Sequence, residues 1–435
     1  MDRKTLLLLI VASLGYFVDI YDITLFGIVK QESLESFMPH ATKAQEDIIT
    51  NTGIFLFNMQ MIGMLIGGLL WGILGDKKGR LTVLFGSILL YSLANIINAF
   101  VFDVNAYAFT RLLAGIGLAG ELGAGITLVA ELMTKENRGY GTMVIVTFGA
   151  LGAVTAEMVH RNSQGLADWV NNTFGYELMG WQVVYILGGV MGLLLLAMRV
   201  GSMESGMFKK AAAENVKKGN MAMLFTRKNF PKYLKCILIG VPVWYVIGIL
   251  VFNSQKVFAP ALGVVPNIVD GKEVGVVNGV AIMYAYIGLS VGDLISGLLS
   301  QLLKSRKKVV FIYLAFTLLL VLYFLFFAKG ISVSTYYFFS FLLGAATGYW
   351  AIFVTIAAEQ FGTNIRSTVT NTVPNFVRGS VWPVTTLFTS LIKGGNSPIT
   401  SALIIGIVCL GIGLWAIMSL KETFSKDLDY LEGHE

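Results

Sequence analysis

Charge is what this chain of 435 residues has least of: Asp, Glu, Lys and Arg together make up 13 %, against about a quarter in an ordinary soluble domain. Cysteine is as sparse. Cys236 and Cys409 each lie inside an apolar run, so neither a disulfide framework nor a thiolate metal site is indicated. Three histidines without metal-ligand spacing argue the same way, and no cofactor is expected. What fills the chain instead is apolar: 55 % of residues are hydrophobic and mean hydropathy is +0.72. That is enough for about twelve membrane-crossing segments of ~20 residues. A water-soluble core could not hide so much apolar surface. A soluble enzyme, a nucleic-acid-binding module and a disordered chain are thereby excluded, and the composition predicts an all-α polytopic protein in a lipid bilayer.

The apolar runs predict helices at 5–29, 51–75, 81–101, 106–132, 139–160, 181–201, 233–257, 275–303, 309–329, 334–360, 366–392 and 398–420, each long enough for a hydrocarbon core of ~30 Å. The start, Met1 to Lys4 and then an apolar run, looks like a secretory leader, but Asp19 and Asp22 interrupt the run and no small-residue cleavage site follows, so the first helix is expected to be retained. Most of the 32 Lys and Arg residues fall on one side if both termini are cytoplasmic. Lys77, Lys78, Arg80, Lys209, Lys210, Lys217, Lys218, Lys304, Arg306, Lys307 and Lys308 are among them. Positive charge marks the cytoplasmic side. The net charge of +6 is therefore a matter of placement rather than a sign of an acidic partner.

The longest polar stretch, 202–232, reads as a cytoplasmic linker between two six-helix bundles, 1–201 and 233–420, with 421–435 as a cytoplasmic tail. An internal repeat supports the division. Gly63 to Leu70 aligns with Gly292 to Leu299 at an offset of 229, and Glu131 with Arg138 recurs as Glu359 with Arg366 at 228. An even number of helices per copy makes the repeat parallel.

Gly72-Ile73-Leu74-Gly75-Asp76-Lys77-Lys78-Gly79-Arg80 resembles the loop signature G-x-L-x-D-[RK]-x-G-R of the major facilitator superfamily. It sits between the second and third helices, where that family has it, and the resemblance extends over the whole chain. The second copy departs, with Gln301, Ser305 and Lys308 in place of Gly, Asp and Gly. The resemblance implies two pseudo-symmetric bundles around a central cavity. It also implies a conformational latch on the cytoplasmic side, built from Gly72, Asp76, Lys77, Gly79, Arg80, Glu131, Arg138, Glu359 and Arg366. Plain positive-inside topology would explain Lys77 and Lys78 but not Asp76 with Gly79. Gly15 to Asp22 and Arg111 to Glu121 are similar to motifs of the metabolite:proton and aromatic-acid:proton symporter branches. The fifth helix, around Gly149 to Gly152, lacks the Gly-Pro of drug antiporters.

Ionisable residues at mid-membrane are costly and normally face a cavity or a partner. Asp19 and Asp22 share one helical face. Two carboxylates in a poorly hydrated cavity disfavour double ionisation, so one would hold a proton, as a proton symporter needs; the alternative is a static bridge from one of them to Arg111. The resemblance implies that Arg111 tunes a nearby carboxylate. Glu121, further along the same helix, is a proton site or a packing carboxylate among Gly115, Gly117, Gly120 and Gly123. Glu157 and His160 read as solvated interfacial groups or as a proton gate.

In the second half Arg378 stands out, a planar fork suited to a carboxylate. Its partner is a substrate carboxylate or, as a static bridge, Asp293. Asn58, Gln60, Tyr284, Tyr349, Trp350, Asn371 and Asn375 complete a candidate substrate pocket, though such groups also serve as interhelical glue. Gly115-x-Gly117-x-x-Gly120 lies inside a span rather than after a strand, so it is no dinucleotide motif. The reading is proton-coupled uptake of a small carboxylate-bearing metabolite (organic acid, amino acid or betaine) by a monomer in a bacterial inner membrane. A facilitator or exporter of a neutral solute is the alternative, and a transporter-like sensor a remote one. No catalytic serine motif, metal cluster or His-Asp set suggests an enzyme.

Overall fold

In lipid a backbone N–H has no partner but its own chain, so long apolar runs are forced into helices. The computed structural model describes residues 3–39, 41–78, 80–123, 138–203, 221–269 and 271–424. Its first half holds α1 (Arg3–Glu35), α2 (Lys43–Lys78), α3 (Arg80–Asn98), α4 (Val104–Leu118), α5 (Arg138–Arg161), a short α6 (Ser163–Phe174) and α7 (Gly180–Met203). The second holds α8 (Phe230–Leu238), α9 (Val241–Tyr245), α10 (Asn278–Leu302), α11 (Arg306–Phe327), α12 (Val333–Ala346), α13 (Trp350–Gln360), α14 (Thr363–Gly379), α15 (Val381–Lys393) and α16 (Pro398–Ser419).

Among the described residues, nine helices are long and apolar enough to cross a membrane. Of the other expected spans, the third is represented by the shorter apolar stretch Val83–Asn98. The fourth is described only as far as residue 123, with α4 ending at Leu118 before a turn, and the eleventh is interrupted at Ser380. The seventh and tenth are discontinuous as well. The seventh passes from α9 into π-helical turns at Val246–Val251 and Ser254–Phe258, on either side of Phe252 and Asn253. The tenth breaks over Thr347, Gly348 and Tyr349 between α12 and α13. Neither the interfacial helix α6 nor the hairpin Asn267–Val269/Lys272–Val274 was marked by an apolar run. Most of the expected linker lies outside the described residues.

Side chains such as Leu194, Leu319 and Phe327 stay exposed, the mark of a lipid-facing surface. Inside each half, helices approach closely through small residues. A Cβ at Gly115 of α4 would collide with the Gln60 carbonyl of α2. Between the halves, α2 lies along α14 and α5 along α10. The first helix, α1, meets both α5 and α10, which brings its polar face to the middle of the molecule.

Candidate functional site

A small central cavity lies between the halves. Its walls are Tyr16 and Ile20 of α1, Ala150 of α5, Trp244 of α9, Tyr286 and Leu289 of α10, Trp350 of α13 and Arg378 of α14. Four aromatic rings therefore surround one guanidinium. The break before α13 sets Trp350 at a helix start, where its ring lies 5.7 Å from the Arg378 carbon. Its indole Nε1 is buried and has no hydrogen-bond partner.

Arg378 is buried and held by a single carboxylate. Its Nη2 donates to Asp19 Oδ2 at 3.3 Å and reaches the Tyr16 hydroxyl at 3.5 Å. Nε and Nη1 are buried and unpartnered, as is Asp19 Oδ1. Two faces of a five-donor fork thus remain unused in a cavity, with one long contact holding the third. Asp293 is not the partner of Arg378. It accepts the Ala351 N–H at 3.0 Å, at the start of α13, and its second oxygen has no partner.

Asp22 forms no static bridge to Arg111. Both of its oxygens are buried without a hydrogen bond, and one faces Gly188 of α7 so closely that any side chain there would collide. Arg111 donates to Asn95 Oδ1 at 2.9 Å and lies over the Tyr185 ring at 4.9 Å. Tyr185 in turn shares a hydrogen bond with Tyr107 at 2.8 Å. Glu121 is gripped by both terminal nitrogens of Arg199 of α7, one at 2.9 Å. Arg199 reads from sequence as one more cytoplasmic charge at a helix end, and its burial is what that reading missed. Tyr16 and Trp244 were missed too; only the recurrence of aromatics at cavity-facing positions could have marked them.

Several expected pocket residues are elsewhere. Tyr284 is exposed and stacked on Tyr337, centroids 5.6 Å apart, facing away from the cavity. Tyr349 spends its hydroxyl on the Ile239 carbonyl at 2.9 Å. Asn371 and Asn375 tie α14 to the first half: Asn375 donates to the Ala119 carbonyl at 2.7 Å, and the Asn371 amide, in the orientation that satisfies both its atoms, donates to the same carbonyl at 3.0 Å and accepts the Gly72 N–H at 3.1 Å. Asn58 accepts from Thr385 at 2.6 Å. Gln60 is fully buried with neither side-chain atom hydrogen-bonded. Trp350 and Arg378 alone of the substrate set line the cavity.

At the end bearing the termini, Glu359 pairs with Arg306 at 2.6 and 2.8 Å, not with Arg366. Arg366 donates to the carbonyls of Ala358 and Phe361. Gly72 packs against Thr372. The side chains of Asp76, Lys77, Arg80 and Arg138, and Gly79 and Glu131 altogether, lie outside the described residues. At the opposite end Glu157 is buried rather than solvated. It accepts from Arg161 Nε at 3.0 Å, while His160 bridges toward Glu32 at 3.1 Å.

Comparison with known proteins follows this geometry. A family model described as Major Facilitator Superfamily matches residues 12–386. A Bacillus subtilis protein bearing the name of a niacin/nicotinamide transporter is 25 % identical, with 97 % of each chain covered. An Escherichia coli 3-(3-hydroxy-phenyl)propionate transporter is 30 % identical over 142 residues, 33 % of this chain and 32 % of that one. A solved proton:xylose symporter superposes with a TM-score of 0.66 at 17 % identity, covering 98 % of this chain and 97 % of that chain, which shows the fold.

Proposed function

The chain belongs to the Major Facilitator Superfamily, and from that premise we propose that it takes up a small aromatic or heteroaromatic carboxylate together with one or more protons. One observation carries the reading: Arg378, buried among four aromatic rings, holds a single long contact to Asp19 and leaves two donor positions unused. A guanidinium fork matches a carboxylate through paired hydrogen bonds, while Trp350, Trp244, Tyr16 and Tyr286 offer faces and edges to a planar ring. Relatives named for niacin and for a hydroxyphenylpropionate fit the same chemistry. A neutral solute would leave the guanidinium without a better partner than Asp19.

Coupling follows from competition for Arg378. A substrate carboxylate that takes the fork releases Asp19, and a carboxylate without a counter-charge in an apolar cavity is neutralised by a proton. Asp22 lies next along the same face of α1, within electrostatic reach of Arg111 on α4, and the two serve as the relay. Glu121, already held by Arg199, keeps a packing role. The bundles 1–201 and 233–420, joined by 202–232, rock about the cavity in a monomer. The termini face the cytoplasm of a bacterial inner membrane.

Uptake into proteoliposomes tests this. Labelled nicotinate and benzoate are expected to accumulate under an inward proton gradient, with acidification of an internal dye, and a sugar is not. Asp19→Asn should bind substrate yet lose gradient-driven accumulation, and Arg378→Ala should lose tight binding and accumulation. Equilibration of the sugar without a gradient, unaffected by both substitutions, would overturn the proposal.

A further inference from the structure

Lys30, near the far end of α1 from the N-terminus, is a buried-side cation without an anion. Its Nζ donates to the Phe252 carbonyl at 2.7 Å and to Asn253 Oδ1 at 3.4 Å. Among the described residues no carboxylate lies within ion-pairing distance of it. Glu32 turns to His160, and Glu46 to Lys256. A neutral carbonyl and an amide are weak company for an ammonium removed from bulk water.

The ammonium borders a small recess, separate from the central cavity. Lys256 lines the same recess, as do the amide-bearing Gln31, Gln255 and Asn278. Two cations and four amides, Asn253 included, surround one hollow whose neighbouring carboxylates are engaged, Glu46 by Lys256 and Glu35 by Gln31, and this makes a place for an anion. The geometry also says what the anion would replace. Phe252 stands at the break of the seventh span, where the carbonyl is released from the helical ladder: Val257 N–H bonds to Asn253 instead. That carbonyl is met by Lys30 and by Asn278 Nδ2 at 3.1 Å, and Asn278 also donates to the Gly27 carbonyl at 2.8 Å. These bonds tie the first half of the chain to the second at the end away from the termini.

We propose that this recess is a second binding site, for a small carboxylate anion held by Lys30 with Lys256 in support, loaded before the central cavity. The anion takes Lys30 from the Phe252 carbonyl, so filling the site releases one of the ties that close this end. Its identification as a waypoint rests on the carboxylate reading of the central site; anion binding at Lys30 does not.

Equilibrium binding of radiolabelled nicotinate to the full chain in nanodiscs separates the two. Arg378→Ala is expected to keep a weaker, salt-sensitive component. Adding Lys30→Gln, which preserves a donor for the Phe252 carbonyl but removes the charge, should weaken that component by about tenfold or more, and Lys30→Arg should retain it. Unchanged residual binding in Arg378→Ala/Lys30→Gln overturns the second site, as does an Arg378→Ala protein that binds nothing while eluting as a monodisperse species. Binding that is untouched by Arg378→Ala but lost with Lys30→Gln supports the recess and instead overturns the central reading.

Discussion

At the scale of single residues, the buried charges divide into those gripped by an opposite charge through two bonds and those left partly open. Arg378 is the open case. A lysine in its place offers a point charge and cannot form the paired fork, so Arg378→Lys should weaken carboxylate binding by about tenfold or more. Direct binding of nicotinate measures it, and unchanged affinity would remove Arg378 from the substrate site. Glu121 with Arg199 is the closed case, with side chains only 1 % and 7 % exposed. Removing one member strands the other, at a cost of about 3–5 kcal/mol, whereas replacing both with apolar groups of similar size can be nearly neutral. Glu121→Gln should therefore lower the melting temperature clearly, and Glu121→Leu with Arg199→Met should recover most of the loss. A Glu121→Gln protein that melts like the wild type would show that the pair contributes nothing.

At the scale of elements, α11 begins on a carboxylate borrowed from beyond α16. Glu422 accepts the backbone N–H groups of Arg306 at 3.1 Å and Lys307 at 3.2 Å, and the Ser305 hydroxyl. Partial burial pushes its carboxyl up, but the Ser305 hydroxyl and the N–H groups of Phe424, Thr423 and Arg306 outweigh that and hold it below the ordinary carboxylate range. A depressed folded value means stability that is present above the unfolded value and lost as pH falls through the folded one. Wild type should therefore melt higher than Glu422→Gln at neutral pH, and the gap should close as pH is lowered past the ordinary glutamate range. A gap constant with pH would assign the effect to packing. The same elements show what the sequence discloses. Helices announce themselves as apolar runs, because lipid leaves the backbone no other partner. Their breaks do not: the π-helical turns of the seventh span depend on Lys30 and Asn278, 222 and 26 residues away, to satisfy the Phe252 carbonyl. Pairing is hidden for a related reason. That Asp19, Asp22, Arg111, Glu121 and Arg378 are buried is legible from their apolar surroundings. That Asp19 meets Arg378, and Glu121 meets Arg199, is decided by which helix faces which. Arg199 and Arg306 sit at helix ends, where topology alone explains a positive charge.

At the scale of the whole molecule, bonds between the halves are present at both ends at once. Away from the termini, Lys30 meets Phe252, Asn278 meets Gly27, and Thr385 donates to Asn58. Toward the termini, Asn371 and Asn375 reach the backbone of Gly72 and Ala119. Between them lies Asp19 with Arg378. A cavity sealed at both ends cannot exchange its contents, so transport requires each seal to open while the other holds. Chains of packed side chains have discrete arrangements rather than a continuum, which makes the two seals separable by locking one. Cys236 and Cys409 are both buried, leaving room for introduced thiols to report alone. In Asn58→Cys/Thr385→Cys, whose parent side chains touch at 2.6 Å, an oxidant should arrest proteoliposome uptake and a reductant restore it. Either single variant should be insensitive to the same treatment. Uptake that survives verified crosslinking would mean that this end need not open, and alternating access through the central cavity would fail as an account of this protein.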